Sequence, residues 1–246
     1  MTAAGSTPAA TAATERPLLR VDGLDAWYGD AHILHGVSFA VPAGEVVTLL
    51  GRNGAGKTTT LRAIMGLVRC TGGIEFDGRP IVGLAPFRIA GLGIAYCPEE
   101  RGIFASLTVA ENLALPPIVR AGGLAPDRIL ALFPNLAERL ERRGNELSGG
   151  EQQMLAMARI LRTGAKFMLL DEPTEGLAPV VVQGIGRTLR QLKALGFTIL
   201  LVEQNLRFAA TVSDRYYILD HGRVAEMVPA AELAAQRDRV QAYLGV

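Results

Sequence analysis

Apolar residues in the first part of the chain fall in short runs rather than helical stripes. Leu18–Val21 and Gly36–Val41 read as two short strands. Val46–Leu50 is almost wholly apolar between Gly44 and Gly51, the pattern of a strand covered on both faces. A glycine-rich stretch follows and leads into a helical pattern through Leu61–Leu67, and Gly73–Phe76 and Ile94–Cys97 predict further strands. From about 104 to 163 the period changes. Apolar positions recur at helical spacing in Val109–Leu115, Pro126–Phe133 and Gln152–Leu161, interrupted by Pro116-Pro117 and Gly122-Gly123, which predicts a mostly helical insertion. Alternation then resumes with Phe167–Leu170 as a strand, a helix near Val180–Leu195, Thr198–Glu203 as a strand, a short helix from Asn205 and a strand at Tyr216–Leu219. Strands alternating with helices predict an α/β fold with a largely parallel sheet covered by helices. Residues 1 to 16, rich in Ala, Thr and Ser, read as a flexible tail, leaving 17–246 as one domain with the helical subdomain inserted at about 104–163. No internal repeat is visible.

Composition narrows this picture. A chain of 246 residues with 49% hydrophobic side chains is ample for one such domain. Its 25 basic and 24 acidic residues nearly cancel, so no basic field points to a nucleic-acid partner. Cys70 and Cys97 have no CxxC partner, and His32, His35 and His221 form no ligand cluster with them, which reads as two reduced thiols and no structural metal. The N-terminal MTAAGSTPAATAATERP has neither a positive charge before Arg16 nor a leucine-rich core, so it does not read as a signal peptide. No apolar stretch is long enough to span a bilayer. Together these make the cytoplasm the expected compartment.

Three motifs carry chemistry. Gly51-Arg52-Asn53-Gly54-Ala55-Gly56-Lys57-Thr58 matches G-x-x-x-x-G-K-[ST] between a predicted strand and helix, the context that a phosphate loop requires. Its glycines let successive N–H groups face phosphate oxygens, and the helix beginning near Lys57 adds its positive end. Lys57 is expected at the β- and γ-phosphates, Thr58 on Mg²⁺ and Thr59 beside them. The run Phe167–Leu170 ends in Asp171 and Glu172 at the carboxyl edge of a sheet, where open α/β folds bind ligands. Many strands end in solvated acids. Beside a phosphate loop, however, Asp171 becomes the candidate Mg²⁺-organising acid and Glu172 the candidate base or water-orienting group. Third, Leu147-Ser148-Gly149-Gly150-Glu151-Gln152-Gln153 places a Ser-Gly-Gly at a helix N-terminus, with Ser148 lying 23 residues before Asp171. Such a terminus is both an ordinary N-cap and a second anion site, with free N–H groups and a hydroxyl donor.

The order of these motifs resembles the ATP-binding subunits of ABC transporters, whose signature is usually LSGGQ, with Glu151 here in place of Gln. The resemblance spans about residues 18 to 246. It implies a P-loop NTPase core, mostly a parallel sheet with an antiparallel β portion, plus an inserted helical subdomain. It also implies ATP and Mg²⁺ as cofactors, and two cassettes meeting head to tail so that Ser148, Gly149, Gly150 and Glu151 complete the partner's nucleotide pocket. Position by position, Tyr28 stands where the family stacks an aromatic on adenine, and it is expected in a loop. Glu99 (in another register, Glu100) stands where a Gln touches Mg²⁺ and the attacking water. Gln204 replaces the switch histidine, and Ala178 replaces an aspartate between the two sites. These departures resemble the ATPase subunits of branched-chain amino acid importers and of their relatives for urea and short amides. The implied partners are transmembrane permease subunits, a second ATPase subunit, different or identical, and indirectly a periplasmic solute-binding protein. That places the chain on the inner face of the membrane, with Glu99–Leu107 receiving the permease. A small kinase or GTPase does not account for the signature. A non-transport ABC protein usually carries two cassettes, long coiled coils or zinc modules. A module without hydrolysis would not need Lys57, Thr58, Asp171 and Glu172 together.

Overall fold

The computed structural model describes residues 16–245, so the expected tail lies, Arg16 apart, outside the described residues. The chain opens with a long hairpin, β1 (Leu19–Tyr28) and β2 (Ala31–Val41), then β3 (Val46–Leu50), α1 (Lys57–Ile64), β4 (Arg69–Phe76) and β5 (Arg79–Pro80). Next come α2 (Pro86–Gly91), β6 (Ile94–Cys97), and a helical stretch with α3 (Val109–Ala114), α4 (Pro126–Leu132), α5 (Pro134–Ala137) and α6 (Gly149–Leu161). The last part holds β7 (Phe167–Asp171), α7 (Pro179–Ala194), β8 (Thr198–Glu203), α8 (Leu206–Ala209), β9 (Arg215–Asp220), β10 (Arg223–Pro229) and α9 (Arg237–Leu244).

The strands form two sheets. An antiparallel sheet runs β2-β1-β4-β5, and a six-stranded sheet runs β10-β9-β3-β8-β7-β6, parallel throughout except for the β10–β9 edge pair. The central strands show why near-continuous apolar runs make parallel sheets. Every residue of β3, β7 and β8 is buried, and alternate side chains go to opposite faces. Val47, Leu49, Phe167, Leu169, Leu200 and Val202 join the core shared with the antiparallel sheet and α1. Val46, Met168, Leu170, Ile199 and Leu201 join the core shared with α6 and α7. Because these strands are parallel, Leu50 pairs with Glu203 and Asp171 with Val202, so the residues that follow all three strands emerge along one edge.

Two local expectations need correction. The first strands are not short: their pairing continues through register irregularities to the turn, and Tyr28 is the last residue of β1 rather than part of a loop. Bulges break the two-residue alternation that would have signalled the longer strands. The second correction is the edge pair β9–β10 and the helix α9, of which only Tyr216–Leu219 was expected. β10 alternates exposed and partly buried positions at the sheet margin, and α9 buries only Val240 and Leu244, too sparse a stripe to read.

Leu201 is fully buried at the centre of the sheet, so Leu201→Ala should destabilise the protein by about 2–5 kcal/mol in urea unfolding, whereas Val180→Ala at a position 70% exposed should change it by less than about 0.5 kcal/mol.

Candidate functional site

The loop after β3 is shaped by glycines. Gly56 has φ of 103°, and a Cβ there would stand 2.6 Å from Leu34 Cδ2, while a Cβ on Gly51 would stand 2.5 Å from the Leu219 carbonyl oxygen. Neither position tolerates a side chain. The loop closes with Ala55 N–H donating to the Arg52 carbonyl, and α1 starts at Lys57.

The Lys57 ammonium is 3% exposed and fully engaged. It donates to the carbonyls of Gly51 (2.8 Å) and Arg52 (3.1 Å) and pairs with Glu172 Oε1 at 3.0 Å. Next to it, Thr58 Oγ1 donates to Asp171 Oδ1 (2.9 Å), and the Tyr96 hydroxyl donates to Asp171 Oδ2 (3.0 Å). Burial raises the Asp171 carboxyl above its usual range, with those two hydrogen bonds opposing the rise. Glu172 sits in the left-handed region with φ of 43°, an uncommon place for a non-glycine residue, and its N–H donates to the Val202 carbonyl. The Glu175 N–H donates to the Glu172 carbonyl, and the neighbouring Glu172 side chain is the main cause of the raised Glu175 pKa.

Above this cluster lies a cavity of about 390 Å³, lined by Asn53, Gly54 and Gly56 of the loop, by Lys57, Thr58 and Thr59 at the start of α1, and by Tyr28, Ile33, Glu99, Glu172 and Glu175. Of the expected residues, Tyr28, Asn53, Gly54, Gly56, Lys57, Thr58, Thr59, Glu99 and Glu172 meet here. Asp171 stands just below, bonded to Thr58. Glu99, not Glu100, faces the cavity; Glu100 turns to Arg62, which also approaches the Tyr28 hydroxyl at 3.4 Å. Arg52 and Ala55 serve the loop through backbone atoms. Gln204 does not line this cavity. It lines a neighbouring groove of about 930 Å³ that shares Glu172 and Glu175 with it and runs along α7 and α8.

The signature segment is also absent from the cavity wall. Ser148 caps α6, its hydroxyl and N–H both donating to Glu151 Oε2, and Arg139 pairs with Glu151. Burial pushes the Glu151 carboxyl up, but the bonds from Ser148 and Arg139 outweigh it and leave the pKa lowered.

Three site residues went unread in the sequence. Tyr96 is the lone polar side chain of the apolar run Ile94–Cys97. Glu175 lies just past the acid pair. Glu203 ends an apolar strand as Asp171 does, and that repeated signal could have found it. Buried Glu203 accepts from Thr174 Oγ1 at 2.7 Å and from Asn205 N–H at 3.3 Å, and burial pushes its carboxyl up to about 7.

Comparison with known proteins now bears on this geometry. Residues 34–175 match the sequence profile of the ABC transporter family. The chain belongs to the ABC transporter family. It is 42% identical over 232 residues, covering 93% of this chain and all of the other, to the high-affinity branched-chain amino acid transport ATP-binding protein BraG of Pseudomonas aeruginosa. A probable branched-chain amino acid transport ATP-binding protein LivF of Archaeoglobus fulgidus is 39% identical over 93% of this chain and 99% of its own. A lipopolysaccharide export system ATP-binding protein LptB of Acidithiobacillus ferridurans is 36% identical over 93% of this chain and 97% of its own. The crystal structure of a nucleotide-free ATP-binding cassette from an ABC transporter superposes with a TM-score of 0.81 at 25% identity, over 94% of this chain and 99% of that one. The ABC ATPase domain binds and hydrolyses ATP, and the fold is that of an ABC cassette. Among the described residues no helix is long and apolar enough to cross a membrane.

Glu203 gives a stability prediction. Its folded-state pKa of about 7 lies above that of a free Glu, about 4.3, so the folded state holds a proton that the unfolded chain has lost, and stability falls as pH rises through that window. Glu203→Gln should remove this decline, so that its stability relative to wild type is greater at pH 8 than at pH 5 in urea unfolding. Parallel pH profiles of the two proteins would contradict the assignment.

Proposed function

We propose that this ABC ATPase powers an importer for branched-chain amino acids. The observation that carries the catalytic half is the meeting of Lys57, Thr58, Asp171 and Glu172 under one cavity of nucleotide-site size. The site fits MgATP: a glycine-shaped loop with a buried ammonium suits phosphates, and the hydroxyl, carboxylate and nearby Glu99 form the hard oxygen set that Mg²⁺ prefers. In this reading the loop N–H groups and Lys57 hold the β- and γ-phosphates. Thr58, Asp171 and Glu99 hold the metal, and Tyr28 lies against adenine. Bound Mg²⁺ supplies neutralisation of charge on the phosphate oxygens. Glu172 orients the attacking water and accepts its proton, and Gln204, which cannot carry a proton as His can, would contribute a hydrogen-bond donor from the neighbouring groove that it shares with Glu172.

Ser148, Gly149, Gly150 and Glu151 lie outside the chain's own cavity, at a helix N-terminus that suits an anion once the Glu151 carboxylate, which takes the Ser148 hydroxyl and N–H, gives way. This supports a second ATPase subunit, identical or different, whose nucleotide the segment closes over. Permease subunits at the inner face of the membrane, reached through Glu99–Leu107, and a solute-binding protein beyond them complete the proposed assembly. BraG and LivF support the solute class, together with the Glu99, Gln204 and Ala178 pattern. Lipopolysaccharide export is the second reading, favoured by the likeness to LptB.

The test is to reconstitute the chain with candidate permease subunits from its source organism and measure hydrolysis. Leucine presented by the solute-binding protein should stimulate turnover, and Ser148→Arg should abolish turnover while the isolated chain still binds ATP. Stimulation by lipopolysaccharide instead would move the assignment to export, and loss of ATP binding by the isolated Ser148→Arg chain would place the signature in its own pocket.

A further inference from the structure

Outside the nucleotide cavity, the β1–β2 hairpin gathers three metal-ligating side chains that the sequence reading left apart. Asp25 on β1 and His32 and His35 on β2 bring one ligand atom each to within 4.8 Å of the others. His32 Nε2 stands 2.8 Å from Asp25 Oδ1, and the two imidazole centroids are 4.1 Å apart, edge to face. Linear spacing hides the cluster because the pairing slips between Leu24 and Ala26 and again between Ala26 and Trp27. Such irregularities re-aim side chains. Leu24, Ala26, Leu34 and Val37 still fill the core on the inner face.

We propose that Asp25, His32 and His35 bind one divalent transition-metal ion of the Zn²⁺ class. Two neutral imidazoles and one carboxylate are a donor set that Zn²⁺ accepts, with water completing the shell. Donors around a tetrahedral ion at ordinary bond lengths stand about 3.3 Å apart, so small side-chain rotations close the present spread. The route from solvent is open, since the His32 and Asp25 side chains are 37% and 31% exposed. Two guanidiniums come near, and both are already committed: Arg69 lies over the Trp27 ring and bonds the Gly29 carbonyl, and Arg223 bonds the His35 carbonyl.

The site is separate from the nucleotide cavity but joined to it. The hairpin turn that a bound ion would clamp carries Tyr28 on its β1 side. The His35 N–H donates to the Gly222 carbonyl, and Gly222 N–H donates to Ala55 of the phosphate loop. An ion here would stiffen the strand ends on which Tyr28 and that loop rest.

Trp27, the only tryptophan in the chain, stacks on His32 with centroids 4.6 Å apart and planes 13° from parallel, and so reports on the site. Untagged full-length protein in excess Mg²⁺ is titrated with Ni²⁺ while Trp27 emission is followed, and Zn²⁺ is then added as a competitor. The expected result is saturable quenching at one equivalent, reversed by Zn²⁺. His35→Ala keeps the Trp27–His32 stack and should weaken Ni²⁺ binding at least tenfold, and Asp25→Asn should weaken it as well, with both variants folded by circular dichroism. Absence of saturable quenching in the wild type, or a His35→Ala titration matching it, would overturn the proposal.

Discussion

The nucleotide side of this molecule is organised around one buried ammonium. An unpaired Lys at 3% exposure would cost several kcal/mol, and Lys57 avoids this by donating to the Gly51 and Arg52 carbonyls and pairing with Glu172. That arrangement requires the loop to wrap back over the side chain of the residue that starts α1, and it requires an acid at the end of β7. Both follow from the parallel order β3-β8-β7, which delivers the loop and the acid pair to the same sheet edge. The left-handed backbone at Glu172 belongs to the same constraint: Asp171 remains in register with Val202 while the chain turns to bring the next carboxylate to Lys57.

The same interaction bears on the proposed mechanism. Lys57 and Glu172 satisfy each other across the floor of the cavity, so phosphate oxygens arriving at Lys57 compete with the Glu172 carboxylate. Once displaced from the ammonium, that carboxylate is free to engage water. Asp171 is held independently by Thr58 and Tyr96, and its raised pKa shows how incompletely two hydrogen bonds offset burial there. The tie from Glu203 to Thr174 runs just behind this group and joins the end of β8 to the segment that follows Glu172.

Much of this was legible in the sequence, for identifiable reasons. The runs of β3, β7 and β8 were readable because strands buried on both faces are apolar throughout, and Gly51–Thr58 and Asp171–Glu172 because chemistry fixes their spacing. Less legible were features made by departures from periodicity. The bulged hairpin hid the length of β1 and β2, the position of Tyr28 at a strand end and the meeting of Asp25 with two histidines. Tyr96 was invisible as a site residue because its role arises from Asp171 far along the chain, whereas Glu203, which reaches Thr174, carried the same strand-end signal as Asp171 and was passed over. The placement of Gln204 beside the larger groove rather than in the cavity depends on how the chain leaves β8, which local sequence does not encode.

The most direct test of the account is to measure MgATP affinity and turnover in Glu172→Gln. If Glu172 pairs with Lys57 and acts on water once phosphate takes its place, removing its charge relieves the competition for Lys57. Affinity should then equal or exceed that of the wild type while turnover falls by about 10²–10⁴-fold. Loss of MgATP binding, or turnover close to wild type, would contradict it.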